Sequence, residues 1–219
     1  MKYIALFVSL FLLFSCGSSK KIVSKPIVFD DQRKQLTLEY LDERYGLKQE
    51  LPVINPKMIV LHWTAIPTFE KTFEAFNNST IPNWRPDIKS VSGLNVSSQF
   101  VVDQDGTIYS LMPETTMARH VIGLNYCAIG VENVGGTKDK PLTKKQIKAN
   151  IWLVKYLAKK YNIEYLIGHY EYTNFERTDL WLEKDANYRT EKTDPGEDFM
   201  AAVKKGVKGL HLKYAPEKI

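Results

Sequence analysis

Cysteine is nearly absent: only Cys16 and Cys127 carry a thiol in 219 residues. One lies directly behind an apolar run and the other deep in the chain, so no intramolecular disulfide framework can form. Cys127 has only Tyr126 and Ala128 beside it and no neighbouring base, and reads as a small hydrophobe at the start of a strand. Long hydrophobic runs are equally scarce. The run over residues 4–14, interrupted only by Ser9, is too short to span a bilayer. No arginine-rich tract, basic heptad pattern, stacking signature or helix-turn-helix pattern occurs, and the net charge of +5 is scattered, which argues against a nucleic-acid partner. Histidine is limited to four residues with no HExxH pair, so any metal site must be assembled from positions far apart in the chain.

What is present begins with an address. Lys2 supplies a positive start, the apolar run fits the core of a signal peptide, and Leu13-Phe14-Ser15-Cys16 resembles the lipobox read by lipoprotein signal peptidase. That resemblance implies cleavage before Cys16, lipidation of its thiol and a polar tether over residues 17–21. No acidic residue follows Cys16 as an inner-membrane retention signal would require, so the expected location is the outer membrane of a Gram-negative cell, facing the periplasm.

The remaining chain, with 44% hydrophobic and 25% charged residues, suits one packed domain. Leu36, Leu38, Leu41 and Tyr45 predict an amphipathic helix over 35–45, closing near Gly46. Residues 58–61 form a continuous apolar run typical of a buried strand, with His62 at its end. Phe69, Phe73 and Phe76 recur at helical spacing, and 77–94, rich in Pro, Asn, Ser and Gly, predicts a long loop. Apolar segments on either side of Asp105-Gly106 predict a β-hairpin. A second buried strand ends on Glu132, a helix N-capped by Thr143 follows, and a third strand over 165–169 ends on His169. This alternation indicates a single α/β domain with a central mixed β-sheet flanked by helices. The expected boundaries are a signal peptide over 1–15, a lipidated cysteine and linker over 16–34, and the folded domain over 35–219.

Three strand-end polar residues stand out: His62, Glu132 and His169. Ligands collect at strand ends in α/β folds because the loops there leave a concave edge. A fourth polar cluster runs from Glu191 to Gly196, ahead of the last helix. Two imidazoles and one carboxylate suit zinc with a fourth position left open. Asp194, before Pro195 and Gly196, also has the makings of a helix cap.

Six segments together carry a family resemblance. Met58-Ile59-Val60-Leu61-His62-Trp63-Thr64-Ala65 looks like the first zinc-ligand motif of type-2 N-acetylmuramoyl-L-alanine amidases, which share a fold with peptidoglycan-recognition proteins. The hairpin region Ser97 to Tyr109, Ala118-Arg119-His120-Val121-Ile122-Gly123, Ile129-Gly130-Val131-Glu132-Asn133, Ile167-Gly168-His169 and Lys192-Thr193-Asp194-Pro195-Gly196 resemble the other family motifs, in family order. The resemblance implies one Zn2+ held by His62, His169 and Asp194, and Glu132 and Lys192 as catalytic residues. His120 is expected in the substrate cleft, and Trp63, Arg119 and Asn133 along its walls.

The implied reaction is hydrolysis of the amide between the lactyl group of N-acetylmuramic acid and L-alanine by a metal-activated water. Glu132 would shuttle the proton and Lys192 would stabilise the oxyanion. The alternative is a non-catalytic peptidoglycan-binding receptor on the same fold. Expected partners are peptidoglycan or muropeptides and, through the anchor, a membrane, with the chain acting as a monomer. The aromatic stretch over 170–189 reads either as an insertion flanking the groove or as a packed cover.

Overall fold

The apolar runs lie side by side at the centre of one sheet. In the computed structural model, which describes residues 22–83 and 85–217, they form β2 (Met58–Trp63), β5 (Ala128–Asn133) and β6 (Tyr165–Gly168). The expected signal sequence and Cys16 lie outside the described residues. β2 pairs in parallel with β5 and with β6. Both faces of these strands are covered, so their sequences run continuously apolar instead of alternating. The predicted hairpin is β3 (Phe100–Val102) and β4 (Ile108–Ser110), antiparallel to each other, with β3 parallel to β5. Its turn is closed by Gly106 at φ 86°, a conformation that favours glycine.

The linker boundary needs correction. Residues Ile22–Ser24 form β1, which pairs in parallel with β4 and completes the order β1-β4-β3-β5-β2-β6. A three-residue edge strand has no periodicity of its own to detect; its partner creates it. The first helix, α1 (Asp31–Tyr45), also starts before its apolar stripe, because Asp30 caps it by accepting from the Arg33 N–H. It ends on Gly46 in the left-handed region, as expected.

α2 (Phe69–Asn77) is capped by Thr68, and the following loop holds the short α3 (Pro86–Lys89). α4 (Lys144–Lys160) opens with a capping box between Thr143 and Gln146, and α5 (Glu197–Val207) is the last α-helix. Among the described residues no helix is long and apolar enough to cross a membrane.

The pleat divides the core. Ile59, Leu61, Ile129, Val131 and Leu166 pack with Leu153, Val154, Leu157 and Val203 of α4 and α5. Met58, Val60, Ala128 and Ile167 point the other way, against Val121, Ile122, Leu124, Tyr172 and Phe175. The aromatic stretch after β6 is therefore a packed cover. Its Tyr172 and Phe175 are buried, and Trp181 lies on Gly123, where an added Cβ would stand 2.6 Å from the indole.

α1 is bound to α2 by a buried cation. Arg33 is 1% exposed and donates to the carbonyls of Phe76, Asn77 and Asn78. These belong to the orphan acceptors of a helix end. Arg33→Met removes their donor while keeping apolar bulk, so unfolding by urea should show a loss of about 2–3 kcal/mol. An unchanged midpoint would mean that water replaces the guanidinium.

Candidate metal centre

Strand register assembles the site. His62 stands opposite Glu132, and Leu61 opposite Gly168, so the next residue, His169, comes level with His62. Level residues of parallel neighbours share a face. Since Met58 and Val60 face away from α4 and α5, His62 and Glu132 emerge on that same side, at the carboxyl ends of the strands. Asp194 arrives from the loop before α5, which is tied to the end of β6 by a 3.1 Å bond from the Tyr170 N–H to the Asp194 carbonyl.

Three donor atoms converge there. His62 Nδ1 lies 2.9 Å from His169 Nδ1 and 3.2 Å from Asp194 Oδ2, and His169 Nδ1 lies 3.0 Å from Asp194 Oδ2. All three residues are buried. Burial, helped by the adjacent His62, brings the His169 imidazole down to about 4. Burial alone would raise the Asp194 carboxyl, but hydrogen bonding, foremost from His169, holds it well below the usual carboxylate range. His169 is thus held neutral and Asp194 ionised, the protonation states that metal binding requires of them.

A single cation at the centre can engage all three atoms at once, with both imidazole nitrogens unprotonated. Zinc ligands at about 2.0–2.1 Å in a tetrahedron stand roughly 3.3 Å apart, within a few tenths of an ångström of this triangle. The residues fit a zinc ion.

Glu132 stands beside the triangle with its Oε2 buried and without a hydrogen-bond partner. Burial, then the charge of Asp194, pushes its carboxyl well above the ordinary value, while Lys192 and Arg85 act in the opposite direction. An orphan carboxylate oxygen of this kind is uncommon in a purely structural setting. His62, His169, Asp194, Glu132 and Lys192 line one cleft of about 1040 Å³ counted to its open mouth. Trp63 lines it too, its ring seated on Gly136, whose φ of 92° and missing Cβ make room for the indole. Arg85, in the loop before α3, reaches this cleft without any local sequence signal.

Of the expected wall residues, Trp63 and Arg119 line the cleft and Asn133 does not. Arg119 is 3% exposed and donates to the carbonyls of Ser92, Leu94 and Ile88 and to the Tyr188 hydroxyl, so it fastens the loop around α3 and forms only the wall of the cleft. Asn133 follows Glu132 on the strand and therefore points to the opposite face, where it bonds the His62 carbonyl and Asn150 of α4. His120 does reach the cleft, but it sits directly behind His62, with 3.0 Å between His120 Nδ1 and His62 Nε2. Cys127 is buried and its thiol is pushed up to about 12, chiefly by burial, which suits packing and not attack.

Residues 52–197 match the family described as N-acetylmuramoyl-L-alanine amidase, and the chain belongs to it. Comparison with curated proteins finds no match. Among solved structures, the N-acetylmuramoyl-L-alanine amidase LysC from Clostridium intestinale URNW is 22% identical, covering 89% of this chain and 100% of that one, with a TM-score of 0.54. A selenomethionine derivative of AmpD is 23% identical over 85% and 94% of the two chains, with a TM-score of 0.54. Peptidoglycan recognition protein-LE, in complex with tracheal cytotoxin, is 15% identical over 88% and 95%, with a TM-score of 0.53. At these identities the likeness establishes the shared fold.

The low His169 value carries a sign for stability. Its folded value near 4 lies below the ordinary 6.5, so between those values the unfolded chain binds the extra proton. Metal-free protein should therefore lose stability as pH falls from about 6.5 toward 4. Urea midpoints at pH 7 and pH 5 check this, and His169→Asn should flatten part of the difference; equal wild-type midpoints would contradict it.

Proposed function

We propose that the protein is a zinc-dependent amidase that hydrolyses the bond between the lactyl group of N-acetylmuramic acid and L-alanine, in peptidoglycan or its fragments. The observation that carries this reading is the unpartnered Glu132 carboxylate oxygen in the same cleft as three converging metal donors. His62, His169 and Asp194 would hold one zinc ion. A zinc ion bound there supplies Lewis acidity, polarising the scissile carbonyl and making water nucleophilic near neutral pH.

The chain's own residues then handle protons and charge. Water adds its oxygen to the carbonyl carbon while Glu132, in its ionised form, takes up the displaced proton. Glu132 returns that proton to the amide nitrogen as the C–N bond breaks, and water's second proton leaves the new lactyl carboxyl for the L-alanine amine, giving carboxylate and ammonium. The buried, donor-free Oε2 favours the protonated carboxyl, which makes Glu132 a better proton acceptor. The Lys192 ammonium faces the same cleft and stabilises the oxyanion; removing one such donor typically costs about 10²- to 10³-fold in turnover.

A receptor on the same fold is the competing reading, and the presence of three donors together with Glu132 favours the enzyme. Zinc content and mass spectrometry of muropeptide digests separate the two. Wild type should bind one zinc and release stem peptides beginning with L-alanine. Glu132→Gln should keep the zinc and lose about 10²- to 10⁴-fold in rate. Binding of muropeptide by zinc-loaded wild type with no release would make the protein a receptor.

The lipobox-like segment supports an envelope location, and we infer an acyl anchor at Cys16 in the outer membrane. Palmitate labelling that depends on Cys16, followed by fractionation with the outer membrane, is the expected result. Recovery with the inner membrane would overturn it.

A further inference from the structure

The imidazole of His62 has two nitrogens, and only Nδ1 faces the donor triangle. Its Nε2 lies 3.0 Å from Nδ1 of His120, and the two rings meet edge-on at 88°. His120 in turn places its own Nε2 3.3 Å from the Ala128 carbonyl oxygen. A carbonyl oxygen can only accept, so the His120 hydrogen sits on Nε2 and its Nδ1 presents a lone pair. That lone pair takes the hydrogen of His62 Nε2. The Nδ1 lone pair of His62 is then directed at His169 and Asp194.

We propose that His120 is a positioning residue for the metal centre: anchored on the Ala128 carbonyl, it fixes His62 in the Nε2–H tautomer and aims Nδ1 as the ligand. This inference rests on the metal reading above. It adds to the expected place of His120 in the cleft, and both of its ring nitrogens are already committed, so it is not a fourth ligand.

The ring is built into place from three sides. The backbone N–H groups of His120 and Val121 both donate to Asn125 Oδ1, at 2.8 and 2.7 Å. Asn125 Nδ2 donates to the Tyr45 hydroxyl of α1 at 2.9 Å. Beneath the ring lies Gly130 of β5, where an added Cβ would stand 2.7 Å from His120 Cγ. The glycine is therefore the vacancy into which the imidazole fits, two residues along β5 from Glu132. Such outer partners orient metal-bound histidines and raise their basicity, and losing one typically weakens metal binding about 10- to 100-fold.

The test measures zinc affinity by chelator competition and, on the metal-free protein, imidazole tautomers by nitrogen-15 NMR. Wild-type His62 should carry its hydrogen on Nε2, with that hydrogen slow to exchange. His120→Leu should weaken zinc binding about 10- to 100-fold. Gly130→Ala, which displaces the ring but leaves the histidine in the chain, should weaken it in the same direction. His120→Asn, whose amide oxygen can accept from His62, should recover most of the affinity. Thermal melts of the metal-free variants establish that each folds; should His120→Leu fail, Gly130→Ala and the wild-type tautomer decide.

Hydrogen on His62 Nδ1, or unchanged zinc affinity in folded His120→Leu, would overturn the proposal. Failure of wild type to bind zinc would instead defeat the metal reading, while the tautomer still decides whether the relay exists.

Discussion

Parallel pairing of β5, β2 and β6 is the constraint on which the rest of the molecule depends. With a period of two along each strand, a slip of one residue would turn Leu61 into the cleft and His62 into the helical layer. What prevents the slip is burial on both faces at once. Ile59 and Leu61 are held among the side chains of α4 and α5, while Met58 and Val60 are held under the aromatic cover after β6. Neither set can change sides without moving polar groups into hydrocarbon. The apolar interior therefore specifies where two imidazoles and a carboxylate stand relative to one another, although none of it touches them.

Within that frame, two carboxylates in one cleft are driven apart in acidity. Asp194 is held ionised by the adjacent imidazoles, foremost His169; Glu132 is half-buried, has a buried oxygen with no donor and lies near the charge of Asp194. Environments that separate a pair of acids in this way allow one to remain a fixed anion while the other exchanges a proton. Lys192 and Arg85 moderate the second group without neutralising it. The division of labour is set by neighbours, since Asp and Glu differ little in water.

Strand ends were legible in the sequence because continuous apolar runs terminate abruptly on His62, Glu132 and His169. Thr143 and Asp105-Gly106 were legible because capping and turn chemistry are local. Side-chain direction at the end of a strand was harder. Asn133 looks as available as Glu132 until the pleat places it on the helix side, while Arg119 lines the cleft wall as expected, fastened there by three loop carbonyls. β1 and Arg85 left no trace, because an edge strand of three residues and a cation in a proline- and asparagine-rich loop acquire their roles only from distant partners. The pairing of His120 with His62 spans 58 positions and has no spacing that would announce it.

The family match begins at residue 52, yet α1 ends before it. Tyr45 of that helix holds Asn125, and Asn125 holds the backbone of His120, so a segment outside the matched stretch reaches the metal centre through two hydrogen-bonded links. A recombination joint placed at the edge of that stretch would carry the ligands across and leave behind part of what aligns them, so a joint that keeps the relay intact lies before α1.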